Sequence, residues 1–516
     1  MRIAALDLGS NSFHLLVADA GPDGSLTPVL RDKTMLRLGD VVAKDGCITG
    51  SPADEAVATV RRYRALADAG GAVEMVTCAT SAMREASNCA QLVQRMFDEA
   101  GVRVRIIDGD EEARLIFAAV RASVVLEPPP AVCLDLGGGS LEVSVGDVKG
   151  LRWAVSLPLG VGRLTTELVR SDPPRKGDLR RVRNRVTEAL EPVAAEVATH
   201  APGLAVGTSG TLTDLAVAAL TKATGIQPAL TNQLEVNRKQ LEALHTDLMA
   251  MTCAEREQVA GMEPRRAPLA VAGSIVALTA MDLLDLDRLV IGTWALREGM
   301  VLDTLARHHP PDRHDDPRAI RDASVLAVAR RYSWPEDHSR LVAQLAQTLF
   351  DATSDLHGLD EQQRELLAHA ALLHDIGRHV SAEDQATHSA YLITHGRLRG
   401  FDPDETAVLA SLARYHHKGE PGEGFAPFDR LPARRRKALR SLVALLQVAH
   451  GLDRGRTGAV TGLDVTVTEE SVHLAVATST DTDGELERWS AQRATKRIER
   501  AFGRQLVISE SAEVGT

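Results

Sequence analysis

The chain is poor in aromatic residues, poor in cysteine and without a long apolar run, and each shortage closes off a class of protein. Phe, Trp and Tyr make up 3% of its 516 residues and the net charge is −11, so the basic groove with stacking aromatics that nucleic-acid binders use is not expected. The five cysteines, Cys47, Cys78, Cys89, Cys133 and Cys253, are irregularly spaced and form no Cys-x-x-Cys pair. That pattern fits a reducing compartment, with neither a disulfide framework nor a cysteine zinc site. No stretch of about 18 apolar residues runs uninterrupted, so no membrane span is expected. Met1 to Ser10 runs directly into a strand pattern, without the basic and apolar regions of a signal peptide. The expected location is the cytoplasm.

At about 150 residues per domain, three or four domains are expected. The clearest organising feature is an internal echo. Residues 3–17 overlay residues 131–145 without a gap: Leu6-Asp7-Leu8-Gly9 falls on Leu134-Asp135-Leu136-Gly137, and Ser12 falls on Ser140. Each copy is an apolar run, an Asp, a glycine turn and an alternating run, which reads as a β-hairpin. Each opens a stretch of mixed strands and helices, with further strands expected at 72–80 and 102–108. Two similar α/β domains facing one another across a cleft, 1–126 and 127–306, are the economical reading. The Pro- and His-rich segment 307–317 cannot continue a helix and reads as a linker. Beyond it, helical periodicity dominates 318–455, and 14 of the 17 histidines lie after residue 300. Residues 456–516 are expected to form a small α+β domain with two alternating strands, one amphipathic helix over 487–502, a last strand and a frayed tail.

Glycine-rich turns expose backbone N–H groups and let a phosphate come close. Three occur: Gly9-Ser10-Asn11-Ser12, Gly137-Gly138-Gly139-Ser140 and Gly207-Thr208-Ser209-Gly210-Thr211. One such turn means little; two matched turns and a third, each beside an acid or hydroxyls, point to a phosphate cradle. Asp7 and Asp135 end equivalent strands, so pseudo-symmetry aims both at the cleft. Carboxylates there repel phosphate unless a hard cation lies between, and Mg²⁺ takes such ligands. The alternative is that both merely accept turn amides. Glu142 lies within reach of the same ion. Asp108-Gly109-Asp110-Glu111-Glu112-Ala113-Arg114 leads into an apolar-periodic helix; acids at a helix start need no function, yet one beside a phosphate cleft can deprotonate water.

Six ordered segments, 6–19, 79–88, 108–117, 134–145, 206–216 and 294–303, together resemble the exopolyphosphatase / guanosine pentaphosphate phosphatase family, in its long form. That family is part of the actin, sugar-kinase and heat-shock-chaperone fold group. The resemblance implies two actin-like, ribonuclease H-like α/β domains with a cleft, then an all-α HD-type domain and a small α+β domain. It implies hydrolysis of a terminal phosphoanhydride, with Glu112 activating water and Arg84 meeting the transferred phosphate. Asp135 and Glu142, with Asp7, would be the Mg²⁺-associated acids. Ser10, Asn11 and Ser12, Gly137 to Ser140, and Ser209, Gly210 and Thr211 would cradle phosphate. The substrate expected is inorganic polyphosphate, with guanosine pentaphosphate the alternative, and His14 could meet either. A homodimer is expected, with no nucleic-acid or membrane partner. A nucleotide-gated binding protein of the same fold group is the rival from another class. One departure is Arg266-Ala267-Pro268, where relatives often carry Arg-Ala-Asp, so any role of that Asp is lost.

His338, the adjacent His374-Asp375 and Asp453 resemble the ligand set of HD phosphohydrolases, which suits Mn²⁺, Fe²⁺ or Zn²⁺. His388 and His416-His417 are further candidates. The expectation is that His338, His374, Asp375 and Asp453 approach one point within about 5 Å. The alternative is that this domain only shapes a dimer and a substrate passage. Arg434-Arg435-Arg436-Lys437 either lines an anion path or is solvated helix surface.

Overall fold

The computed structural model describes residues 1–309, 316–479 and 484–511. Residues 310–315 of the expected linker and 512–516 of the expected frayed tail lie outside these. The chain divides into two compact units, Met1–Ile320 and Arg321–Thr516.

The first unit is built on the echo. β1 (Arg2–Leu8) and β2 (Ser12–Ala20) form an antiparallel hairpin, and β3 (Leu26–Met35) extends it. β4 (Glu74–Ala79) and β5 (Arg105–Ile106) join on the other side in parallel, giving the order β3-β2-β1-β4-β5. The second copy repeats this. β6 (Ala131–Leu136), β7 (Leu141–Asp147) and β8 (Gly150–Leu157) are the antiparallel part, while β9 (Leu204–Thr208) lies parallel to β6. β10 (Leu234–Asn237) and β11 (Arg288–Ile291) complete the order β10-β11-β9-β6-β7-β8. The expected strand at 102–108 shrinks to the two residues of β5, both exposed at a sheet edge.

Strand periodicity sorts the core into layers, because alternate side chains leave opposite faces of a strand. Ala4, Leu6 and Leu8 pack with the Gly50–Ala69 and Cys89–Ala100 helices, whereas Ile3 and Ala5 face the other way. Val132, Leu134 and Leu136 likewise pack under the Lys176–Thr199, Gly210–Thr224 and Ala270–Leu283 helices. The inner faces, with Ile3, Ala5, Ala131 and Cys133, share one core with the Gly109–Arg121 and Leu296–His308 helices. This modifies the expected division. The Leu296–His308 helix packs on β1, β2 and the Gly109–Arg121 helix, so the chain returns to its first half. It also carries Arg307 and His308, which the linker was expected to contain. Pro264–Leu283 is the one segment among the described residues long and apolar enough to cross a membrane, and 72% of its 18-residue apolar stretch is buried inside the unit, as a core helix would be. All five cysteines are free thiols.

The second unit is a helical layer closed by a small sheet. The Glu336–Ala352, Glu361–Leu373, Pro403–Tyr415 and Ala433–Gly451 helices pack together, with Gln385–His395 beside them. β12 (Val460–Val467) and β13 (Ser471–Thr478) form an antiparallel hairpin, and β14 (Gln505–Glu510) pairs parallel to β13. The expected single helix over 487–502 is two, Glu485–Gln492 and Thr495–Phe502. Val472, Leu474, Ile498 and Phe502 belong to the same core as Leu349 and Leu446. The expected boundary at 455 therefore separates no independent core.

Candidate active site

The hairpin turns of the two copies meet. In β1 and β2, Asp7 pairs with His14; in β6 and β7, Asp135 pairs with Glu142. A cavity of about 430 Å³ opens at this end of the strands, lined by Asp7, Glu112, Asp135 and all ten residues expected to cradle phosphate, from Ser10 to Thr211. The turns touch at Gly139, where a Cβ would lie 2.5 Å from both Ser10 Oγ and Ser81 Oγ. Only glycine permits that approach. Ser10 Oγ also accepts the Ala82 N–H at 3.1 Å, tying the first turn to the Ser81–Glu85 helix that carries Arg84. The third turn ends β9 and starts the Gly210–Thr224 helix. Its N-cap, Ser209, adopts φ +95° and accepts the Leu212 N–H. Unpaired N–H groups at a helix start suit an anion.

The acidic segment resolves into separate roles. Asp108 caps its helix by accepting the Glu111 N–H at 2.8 Å, and Glu111 pairs with Arg105. Asp110 is exposed. Glu112 alone of the three adjacent acids is buried, 7% exposed, and turns into the cavity. Arg84 donates to the Ile107 carbonyl at 2.7 Å and holds its Nη1 3.5 Å from Glu112 Oε2.

Asp135 Oδ2 accepts the Thr208 hydroxyl at 2.5 Å, and Glu142 Oε1 accepts the Ser156 hydroxyl at 2.7 Å. Asp7 Oδ1 is buried with no hydrogen-bond partner among the described residues. Desolvation raises all four carboxyls: Asp7 and Glu142 to about 7, Asp135 above its ordinary value and Glu112 well above it, with Glu142 adding repulsion to Glu112. Buried carboxylates with too few donors, one oxygen of them orphaned, are a donor set for a hard divalent cation.

Three cations given no role from the sequence face the same cavity: Lys33, Arg266 and Arg297. Arg266 pairs with Asp214 at 3.2 Å and Glu263 at 3.3 Å, and a Cβ on Gly210 would collide with its guanidinium. His14 Nε2 lies 2.7 Å from Ser12 Oγ and its Nδ1 3.4 Å from Arg297 Nη1. Burial, then Arg297, Lys33 and Arg266, hold His14 well below its ordinary pKa. It is therefore neutral. Arg297 lies within the recognised segment 294–303 and Arg266 opens the departing Arg266-Ala267-Pro268 segment, whereas Lys33 carries no local signal of its position.

In the second unit His338, His374, Asp375 and His416 come together as expected, joined by His450. One donor atom each of His374, Asp375, His416 and His450 falls within 4.8 Å of the others, and His338 Nε2 lies 3.3 Å from His374 Nε2. Asp453 differs from expectation. Its Oδ2 is 2.7 Å from the far nitrogen of His338, Nδ1, and its Oδ1 accepts the Gly458 N–H. It orients a histidine rather than facing the centre. His388, half-buried on Gln385–His395, is not one of these four donors. Arg434, Arg435 and Lys437 line a separate cavity of about 380 Å³ with His357 and Gln362.

The profile of the Ppx/GppA phosphatase family matches residues 16–308, and that of Ppx/GppA phosphatase domain III matches residues 320–493. Exopolyphosphatase 1 of Mycobacterium tuberculosis is 37% identical over 335 residues, 64% of this chain and 94% of that protein. Exopolyphosphatase 1 of Mycobacterium leprae is 38% identical over 326 residues, 63% of this chain and 94% of the relative. Among solved structures, an exopolyphosphatase from Cytophaga hutchinsonii superposes with a TM-score of 0.56 at 30% identity, covering 60% of this chain and 98% of that one. The Aquifex aeolicus Ppx/GppA family member gives 0.52 at 27%, with the same coverage.

Proposed function

This chain belongs to the Ppx/GppA phosphatase family, and from that premise we propose that its cavity is the active site of an exopolyphosphatase releasing orthophosphate from the end of inorganic polyphosphate. The observation that carries the reading is the pairing of buried Glu112 with Arg84, 3.5 Å apart, where the three phosphate-binding turns converge.

The backbone N–H groups of 138–140 and 209–211 hold the terminal phosphates, while the Gly137 N–H closes the turn on the Ser140 carbonyl, and the Ser10, Ser12 and Ser140 hydroxyls complete the cradle. Arg84 sets its fixed charge against the phosphoryl group being transferred. Glu112 accepts a proton from water as the water oxygen bonds to the terminal phosphorus. The bridging P–O bond breaks, and the departing oxygen stays with the shortened chain. A raised pKa suits Glu112 as a base, because a pKa near the working pH gives the best product of deprotonated fraction and proton-transfer driving force. Asp7, Asp135 and Glu142 would hold Mg²⁺, which when bound neutralises phosphate charge beside the reacting group.

Polyphosphate is favoured over guanosine pentaphosphate by the lining. Lys33, Arg266 and Arg297 offer positive charge along the cavity, and no Phe, Tyr or Trp lines it among the described residues to stack a base. A nucleotide-gated binding protein of the same fold group would turn over slowly until a partner stimulated it.

The test is Glu112→Gln. Orthophosphate release from polyphosphate is expected to fall about 100- to 10,000-fold with circular dichroism unchanged. Release at the wild-type rate by the folded variant would refute the mechanism. Competing polyphosphate against guanosine pentaphosphate at equal concentrations of chain ends checks the substrate; a tenfold preference for the nucleotide would reverse the assignment.

A further inference from the structure

The buried histidines of the second unit pose a hydrogen-bond problem that protein atoms alone leave unsolved. An imidazole nitrogen facing a carbonyl or carboxylate must carry the proton. His374 Nδ1 lies 2.6 Å from the Ala371 carbonyl, His416 Nδ1 2.7 Å from the Ala413 carbonyl, and His338 Nδ1 2.7 Å from Asp453 Oδ2. In the neutral form of each ring, then, Nε2 carries a lone pair. Yet His338 Nε2 and His374 Nε2 face each other at 3.3 Å, two acceptors with no donor between them. His416 Nε2 is buried with no partner among the described residues.

Asp375 adds two more acceptors to the same space. Its Oδ1 is 3.6 Å from His416 Nε2, and its Oδ2 is 3.7 Å from His338 Nε2 and 3.9 Å from His374 Nε2. Gln385 donates to Oδ1 at 3.1 Å and Arg456 to Oδ2. Both donors serve the carboxylate and neither serves an imidazole. His374, Asp375 and His416 are 0–1% exposed, so water does not satisfy them from outside.

Donors at about 2.0–2.2 Å from a tetrahedral metal stand roughly 3.3–3.6 Å apart. The four separations above, 3.3 to 3.9 Å, with Asp375 turning Oδ1 to His416 and Oδ2 to His338 and His374, are within a few tenths of that spacing. We infer that the second unit holds one divalent first-row transition ion, bound by Nε2 of His338, His374 and His416 and by Asp375, with His450 the adjacent fifth donor. A set with three imidazoles selects Zn²⁺, Mn²⁺, Fe²⁺ or Co²⁺ over Mg²⁺. Asp453 and the two helix carbonyls are the outer shell that fixes each ring. The site is independent of the hydrolase reading: it uses none of the cavity residues of the first unit.

The test uses the full chain, purified without chelator, then stripped and titrated with Co²⁺ in excess Mg²⁺ so that the carboxylate cavity is filled. Expected are about one Co²⁺ per chain and visible ligand-field bands. His374→Gln and His416→Gln should each weaken binding at least about tenfold, and His388→Gln should leave it unchanged. Should a variant misfold, the wild-type Co²⁺ protein still decides, since three exchangeable, paramagnetically shifted Nδ1–H resonances are expected in its proton NMR spectrum. Folded wild type binding less than about 0.1 equivalent at about 100 µM Co²⁺ would overturn the site. So would equal binding by a folded His374→Gln/His416→Gln double variant, or a loaded protein without shifted imidazole resonances.

Discussion

Asp7→Asn gives a prediction in which losing a site carboxylate strengthens the fold. Asp7 is half-buried, its Oδ1 is enclosed without a hydrogen-bond partner among the described residues, and desolvation raises its pKa from 3.8 to about 7 despite the opposing charge of Arg297. Between those values the folded chain keeps a proton that the unfolded chain has released, so stability without divalent ions falls as pH rises from about 4 to about 7. At 1.36 kcal/mol per pH unit, the loss is about 1.5 kcal/mol at pH 5 and about 4 kcal/mol at pH 8. Asn carries no charge to desolvate. In a chelator the variant should therefore melt higher than wild type, by about 3 °C at pH 5 and about 8 °C at pH 8, taking roughly 2 °C per kcal/mol for a unit of this size. Scanning calorimetry of the first unit's transition across that pH range is the assay. Excess Mg²⁺ should raise the wild-type melting temperature at pH 8 and leave the variant nearly unmoved, while the variant loses phosphate release. A variant that melts at or below wild type at pH 8 in chelator, or a gap independent of pH, would refute the reasoning.

Three more substitutions probe other parts of the chain. Arg84→Ala should lower kcat for phosphate release about 100- to 1,000-fold with a smaller change in KM, since its charge acts on the transferred phosphoryl; steady-state kinetics on polyphosphate check this. Lys33→Gln should raise KM for long polyphosphate several-fold at low salt while kcat holds, and the difference should fade as salt screens the charge; a salt series measures it. Arg321→Ala should destabilise the second unit by about 3–5 kcal/mol, because Glu405, 2% exposed and 3.0 Å from Arg321, would keep a buried charge without its partner. Denaturant unfolding of Arg321→Ala beside Arg321→Met/Glu405→Leu should show the double change recovering most of that loss.

The parts of the fold legible in the sequence were those set by local chemistry. The echo of 3–17 in 131–145 placed two hairpins, and both form with Asp7 opposite His14 and Asp135 opposite Glu142. Tertiary choices were not legible. The Leu296–His308 helix has a polar face and an apolar face like any other, and nothing in its own residues says that its apolar face returns to β1 and β2. The break between Gln492 and Thr495 carries neither Gly nor Pro, so the amphipathic stretch reads as one helix although the core of the second unit receives two.

The two candidate sites divide along the same line. Turn residues from Ser10 to Thr211 were legible because the glycine turn, which means little alone, recurs in the echo and again at Gly207–Thr211, each time beside an acid or hydroxyls. The place of Lys33 and Arg266 in the cavity was not, since a cation shows its neighbours only once the chain is folded. Glu112 separated from Asp110 and Glu111 through helical phase: the first turn of that helix aims one of the three at the interior, and Arg105 draws Glu111 to the outside. In the second unit, sequence pattern named Asp453 as a ligand and passed over His450, three residues earlier on the same helix end. A spacing argument reports which residues lie near a point, but which atom faces it depends on the partner of the other atom. Asp453 is spent on His338 and Gly458, and in orienting that ring it turns the His338 lone pair toward Asp375 and His374. The residue that resembled a ligand thus makes a ligand of its neighbour, and substituting it should disturb the pose of the ring before it changes the number of donors.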